Sequence, residues 1–310
     1  MICQIKKKSV ISWYINADFI IMKKILIFII VALTSLCANA FSIESVRFHC
    51  ADDTVKINGL LKDAIADRQL KTPGQFMSFF ADRLIDTPYV AHTLEGDKEY
   101  LTINIDQLDC TTFVETLVAL TRAAMMRQAT WLSYASALEN LRYHNGEING
   151  YASRLHYISA WIIENSSRGN FVEISSMMPH CENLINTLNY MSAHRDSYPA
   201  LADSLNYAGI KNLEAGYNRH MYPYINKKNI HKKEFVAELK NGDIICITTK
   251  IEGLDVSHLG IVRLIDGKPH LLHASSAGKK VMIDKYDLSE MLRNNRTATG
   301  VRVLRVQTAY

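Results

Sequence analysis

Cys110 is the side chain in this sequence best placed for covalent chemistry. It follows Asp109 in Leu108-Asp109-Cys110-Thr111-Thr112-Phe113-Val114-Glu115, ahead of Phe113, Val114, Leu117, Val118 and Thr121 at helical spacing. Asp109 reads as an N-cap, which puts the thiol in the first helical turn. The unpaired N–H groups of a helix start favour a thiolate, lowering its pKa, and can also stabilise an oxyanion. The other reading of a cysteine here is a small buried apolar residue.

A nucleophile needs a base, and two histidines are candidates. Val256-Ser257-His258-Leu259-Gly260-Ile261-Val262 and Leu271-Leu272-His273-Ala274-Ser275 read as successive strands joined through Asp266-Gly267. Asp-Gly favours a two-residue hairpin turn, which pairs Ile265 with Lys268 and therefore Gly260 with His273. His273 then lies diagonal to His258 on the same face, about 7–8 Å away between backbones, close enough for the rings to hydrogen-bond. A one-residue slip would reverse His273. In that register Cys110 is the nucleophile, His258 its base and His273 the group that fixes the tautomer of His258; the plainer reading of His273 is a hydrogen-bonded core histidine. His156 and His180-Cys181 are conceivable metal ligands, but there is no H-E-x-x-H pattern or close ligand pair, so the expectation is no metal and no cofactor.

Helices and strands must position these groups. Thr72-Pro73-Gly74-Gln75 combines a cap, a proline at the first helical position and a glutamine at the third, ahead of Phe76, Phe79, Phe80 and Leu84. Helical periodicity recurs over Leu132–Leu141, around Leu155, Ile158 and Ile162, and around Leu184, Ile185 and Leu188. Beyond residue 240 the period becomes that of strands: Asp243–Thr249, His258–Ile265, Leu271–Ala274, Lys280–Ile283 and Val301–Val306. The expected class is α+β, an early helix bearing the nucleophile and a late antiparallel sheet bearing its base, the order found in papain-like hydrolases.

Residues 1–40 read as a leader. Met22-Lys23-Lys24, the apolar run Ile25–Leu36 and Ala38-Asn39-Ala40 form a signal peptide over 22–40, cut after Ala40, with Met22 as an alternative initiator. Leu36 stands where a lipid-attachment signal wants a small residue, which disfavours Cys37 as a lipidated cysteine. No later run reaches the roughly 18 apolar residues of a membrane span. The leader holds five lysines and one aspartate, so the +4 of the whole chain falls to zero for residues 41–310 and leaves no electrostatic footprint for nucleic acid. Of the cysteines, Cys50, Cys110, Cys181 and Cys246 remain, and with Cys110 free at most one disulfide is possible.

These segments together resemble the NlpC-type papain-like cell-wall hydrolases. Asp109-Cys110-Thr111-Thr112-Phe113 stands for that family's Asp-Cys-Ser-Gly-Phe, and Ser257-His258-Leu259-Gly260 for its Ser-His-Val-Gly. His273-Ala274-Ser275 corresponds to the next histidine-bearing strand, and Thr87-Pro88-Tyr89-Val90 to a segment whose tyrosine lines the substrate site. Asn241-Gly242-Asp243-Ile244 matches the turn before the first core strand. Asp-Cys-Thr-Thr-Phe-Val-Glu and Ser153-Arg154-Leu155-His156-Tyr157 are closer still to a periplasmic branch, once a domain of unknown function, associated with N-acetylmuramoyl-L-alanine amidase activity. The resemblance implies a periplasmic enzyme acting on peptidoglycan fragments, with residues 41–310 as a single papain-like domain. It also implies roles in substrate binding for Tyr89, Asp109 and Ser257. About 147 residues separate Cys110 from His258, more than the family core needs, and the excess, about 125–240, is expected to be a helical insertion. Arg154, Tyr157 and Trp161 lie in it. Arg154 and Tyr157 are candidates to meet a sugar, whereas Trp161 reads rather as core. Cleavage within the stem peptide after D-Glu, and a non-catalytic envelope-binding role, are the alternative functions.

Overall fold

The structure, a computed structural model, describes residues 43–308. The segment expected to be a signal peptide, its expected cleavage point and Cys37 lie outside them. From Ser45 onward the chain forms one compact unit. Its first half is mainly helical: β1 (Val46–Phe48), α1 (Asp53–Ala66), α2 (Pro73–Arg83), β2 (Leu101–Ile103), α3 (Cys110–Met125), α4 (Trp131–Arg142) and α5 (Ile158–Ser167). Strands then alternate with short helices, giving β3 (Phe171–Glu173), β4 (Cys181–Asn186), α6 (Tyr190–Ala193), α7 (Ser204–Gly216), β5 (His220–Asn226) and α8 (Lys233–Glu238). The last part is β6 (Ile244–Thr249), β7 (Val256–Ile265), β8 (Lys268–Ser275), β9 (Lys280–Asp287), α9 (Leu288–Asn294) and β10 (Ala298–Val306).

The fold is α+β. Eight antiparallel strands make one sheet in the order β4-β5-β10-β6-β7-β8-β9, with β3 also paired to β10. Helix α3 is buried along most of its length because apolar and threonine side chains surround it, and it packs against α1, α2 and α4 as well as β7 and β8. Ile245, Ile247, Val262, Leu271, Val301 and Val303 of the sheet join Phe235 of α8 with Leu288 and Leu292 of α9 in a hydrophobic cluster. No helix among the described residues is long and apolar enough to cross a membrane, and Cys50, Cys110, Cys181 and Cys246 are free thiols.

Local signals set the elements around the site. Thr72 and Gln75 form a reciprocal capping box at the start of α2. Asp266 and Gly267, both at positive φ, close a two-residue turn that pairs Ile265 with Lys268, the arrangement of a type I′ hairpin. Gly242, at φ +85°, packs so closely on α2 that a Cβ there would lie 2.7 Å from the Cα of Gly74.

The segment expected to be a helical insertion departs from that expectation. It contributes β3, β4 and β5 to the sheet, and Leu184 and Ile185 belong to strand β4 rather than to a helix. Their spacing with Leu188 fits a helix, but Cys181–Asn186 pairs along its whole length with β5, and tertiary pairing overrides the local pattern. Pro223 disguises β5 as a non-strand. It is tolerated because β10 meets β5 only at Ile225 and Asn226, leaving the far side of Pro223 out of that ladder.

Arg302 locks these strands to the late sheet. Its side chain, 1% exposed, makes a two-pronged bond to Glu173 of β3 (Nε–Oε1 2.7 Å, Nη2–Oε2 2.9 Å). Its third nitrogen donates to Ser159 Oγ of α5 at 2.9 Å, and its guanidinium lies over the Tyr222 ring of β5. Removing one partner of a buried pair strands the other charge and costs about 3–5 kcal/mol; loss of Glu173 strands Arg302, 1% exposed, whereas loss of Arg302 strands Glu173, whose side chain is 16% exposed and reaches solvent. Glu173→Ala should therefore destabilise the protein more than Arg302→Met in denaturant titrations. The reverse order would mean that packing rather than charge pairing holds this joint.

Candidate active site

The approach to the thiol is built from hydrogen bonds. Asn104 Oδ1 accepts the N–H groups of Asp106 and Gln107 (3.1 and 2.9 Å), turning the chain toward α3. Asp109 Oδ1 then accepts the Thr112 N–H at 2.8 Å, and Thr112 Oγ1 accepts the Asp109 N–H at 2.8 Å. This reciprocal cap explains why threonine suits position 112. It also gives the Asp109 carboxylate a structural task. Deeper in α3, Glu115 pairs with Arg142 of α4 at 2.7 Å, both 3% exposed, and Arg142 donates to the Thr102 carbonyl of β2. Helix α3 is thereby anchored at its start and beneath it.

Cys110 occupies the first position of α3 and keeps partial exposure. Burial and then the Asp109 charge push its thiol up to about 11, against the opposing pull of the Leu259 N–H, the Thr111 hydroxyl and its own N–H. The helix start alone would lower this value. Desolvation wins, so the resting group is a neutral thiol. The Leu259 N–H on the sulfur joins α3 to β7 one residue beyond His258.

The hairpin brings the two histidines together. His258 Nε2 and His273 Nδ1 share a hydrogen bond of 2.5 Å, with the rings edge-on and 4.8 Å between centroids. Burial lowers His258 to about 4, and burial together with His258 lowers His273 to about 4, while Asp284 acts in the opposite sense. Both imidazoles are neutral at pH 7.

Tyr89 reaches the site because its segment is stitched on two sides. Its N–H donates to the Lys279 carbonyl at 2.9 Å, Val90 N–H to the Leu108 carbonyl, and Leu108 N–H to the Pro88 carbonyl. Its phenol is raised first by burial and then by the charges of Cys110 and Asp109, which lie within electrostatic range. Ser257 Oγ, next in the chain to His258, is buried and has no hydrogen-bond partner among the described residues.

Arg154 and Tyr157 are bonded to other side chains of the protein. Arg154 is buried between Glu95 (2.8 Å) and Glu99 (3.5 Å). The Tyr157 hydroxyl donates to Glu214 Oε1 and accepts the Met191 N–H, with the side chain 1% exposed. Trp161 is fully buried against Phe171. Near the Arg154 ion pairs, Glu95, Glu99, Tyr151, Asp203 and Asn206 line a cavity of about 570 Å³. His156 Nε2 bonds to the Tyr151 carbonyl, and His180 lies 3.9 Å from Glu234. Among the described residues, Cys50, Asp53 and Asp106 cluster closely enough for a metal ion, but the Lys56 ammonium already sits 2.6 Å from Asp106. Sequence reasoning missed Asp284, 3.7 Å from His273 Nε2, because the strand reading stopped at Ile283. The Leu259 N–H, a backbone group, carries no sequence signal.

Residues 80–301 match the family described as AmiA-like, N-acetylmuramoyl-L-alanine amidase-like. An N-acetylmuramoyl-L-alanine amidase from Bacteroides uniformis is 40% identical, with a TM-score of 0.71, covering 76% of this chain and 99% of its own. A protein from Bacteroides fragilis carrying a provisional xylanase name is also 40% identical, with a TM-score of 0.68, covering 73% and 98%. A Legionella pneumophila protein of the DUF1460 family, 22% identical with a TM-score of 0.61 over 82% and 95%, shares the fold. No curated protein matches. With the family match extending over most of its length, the chain belongs to the AmiA-like family of N-acetylmuramoyl-L-alanine amidase-like proteins.

Proposed function

We propose that this protein is an exported cysteine amidase on a papain-like core, cleaving the amide between N-acetylmuramic acid and L-Ala in peptidoglycan or its fragments. One observation carries the reading: a thiol at the start of a capped helix is touched by the Leu259 N–H, next in the chain to a histidine bonded at 2.5 Å to a second histidine. His258 takes the proton as Cys110 sulfur attacks the lactyl carbonyl, and N–H groups at the helix start stabilise the oxyanion. The C–N bond breaks, the proton passes to the leaving amine of L-Ala, and water attacks the thioester with His258 again as base. Acid and product are released and the thiol is restored.

Membership of the amidase-like family supports this bond over one within the stem peptide. So does Asp109. In the wider family that resemblance brings in, the equivalent carboxylate helps hold a free L-Ala amine, but here its Oδ1 is occupied by the Thr112 cap. The xylanase name of one neighbour would require a pair of carboxyl groups flanking a glycosidic bond, whereas a thiol and two imidazoles suit acyl transfer.

The same stem tripeptide, offered with and without its N-acetylmuramoyl group, tests the bond. Mass spectrometry should find an intact peptide beginning with L-Ala only from the sugar-bearing substrate. Cys110→Ala should lower turnover at least about 1,000-fold with the fold intact, the scale for losing a nucleophile. Cleavage of the bare peptide after D-Glu would sink the amidase reading, and near-normal activity of Cys110→Ala would sink the nucleophile.

The buried histidines also predict a pH profile. Only neutral His258 can accept a proton, so kcat/KM should be flat through the ordinary histidine range and fall toward pH 4. The folded values lie below the unfolded ones, so the unfolded chain binds more protons between about pH 6.5 and 4, and stability is lost as pH falls through that window. Circular dichroism at each pH separates the two effects. An activity limb near 6.5 in fully folded protein would show that His258 is solvated.

A further inference from the structure

We propose that Asp284 is a positioning residue whose carboxylate holds the proton of His273 on Nε2, and so sets the direction of the hydrogen bond that leaves His258 Nδ1 free to act as base. This rests on the reading of His258 as the base of Cys110. The argument begins from a count of protons. Each neutral imidazole carries one N–H, and the 2.5 Å contact joins His258 Nε2 to His273 Nδ1, so one of those two nitrogens donates.

If His273 Nδ1 donates, His258 accepts through Nε2 and must carry its own proton on Nδ1. Neither nitrogen of His258 then has a free lone pair, and it cannot deprotonate a thiol. If His258 Nε2 donates, its Nδ1 is bare, and His273 must hold its proton on Nε2. The active polarity of the pair is therefore decided at His273 Nε2.

That nitrogen is buried and has no hydrogen-bond partner among the described residues, and Asp284 Oδ2 lies 3.7 Å away. The distance is too long for a hydrogen bond. It is short enough for charge: a carboxylate attracts an N–H and repels a lone pair, and solvent screens little beside a side chain 4% exposed. His258 of β7 and Asp284 of β9 are the charged or titratable groups acting on His273.

The backbone supports the same assignment. Leu272 pairs with Ile283 but His270 pairs with Asp287, so Asp284, Lys285 and Tyr286 stand opposite Leu271 alone. A bulge of this kind re-aims a side chain. Asp284 is also held in place: its Oδ1 accepts the Tyr286 N–H at 2.9 Å, and its carbonyl lies 3.1 Å from His270 Nδ1.

The test reads tautomers directly, in protein with ¹⁵N-labelled histidine, by two-bond proton–nitrogen correlation. In the wild type both His258 and His273 should be protonated on Nε2. Asp284→Ala should admit the Nδ1–H form of His273 and lower kcat on a muropeptide about 10–100-fold, the range for outer partners that orient an imidazole, with KM little changed. Asp284→Glu, which keeps the negative charge, should recover much of both, and Asp284→Asn, which keeps the shape without the charge, should not. An Nδ1–H tautomer of His273 in the wild type, or an unaltered tautomer in Asp284→Ala, would overturn the proposal whatever the enzyme cleaves. A wild-type protein with the expected tautomers and no action on muropeptides would instead fail the functional reading alone.

Discussion

The arrangement depends on the register of one hairpin. Asp266 and Gly267 both adopt positive φ, and the two-residue loop they form admits a single pairing of β7 with β8. Gly260 then stands against His273, close enough that a Cβ at 260 would lie 2.9 Å from the histidine's own. Without a side chain at 260, the Leu271 side chain and the His273 Cβ pack directly over that backbone. A shift by one residue would send His273 to the other face and leave His258 without a partner. The turn is thus as much a part of the site as the imidazoles, although it lies at the far end of the hairpin.

The sulfur is carried by helix α3, which is fixed from two directions. Its first turn is capped reciprocally by Asp109 and Thr112, and its buried face carries the Glu115–Arg142 pair, which reaches on to β2. An ion pair this deeply buried adds little net stability compared with apolar packing. Its value is directional: a guanidinium bonded to both a carboxylate and a carbonyl permits few orientations of α4 against α3.

What could be read from the sequence was local. The Thr72 and Asp109 caps, the Asp-Gly turn and the strands of the late sheet follow from a few adjacent residues with strong conformational preferences. What could not be read depended on distant partners. Leu184 and Ile185 look helical until β5 is there to pair with them, and Pro223 hides β5. Tyr157 resembles a surface donor until Glu214, fifty-seven residues later, takes its hydroxyl. The thiol shows the same limit in electrostatics. A helix start predicts a lowered pKa, but the net direction is set by burial against the sheet and by Asp109, and only the latter is a neighbour in sequence.

That raised thiol bears on how the proposed chemistry would proceed. A thiolate–imidazolium pair formed in advance would place two charges in a site whose burial already disfavours each of them, as the values near 11 and 4 indicate. In the proposed step charge would instead develop as the sulfur attacks, with the proton moving to His258 and negative charge onto the carbonyl oxygen. Backbone N–H groups fixed by the cap require no reorganisation at that moment, and in a desolvated site they act more strongly than in water. The N–H groups that fail to ionise the resting thiol are therefore suited to stabilising the transition state, because the charge they meet exists only there.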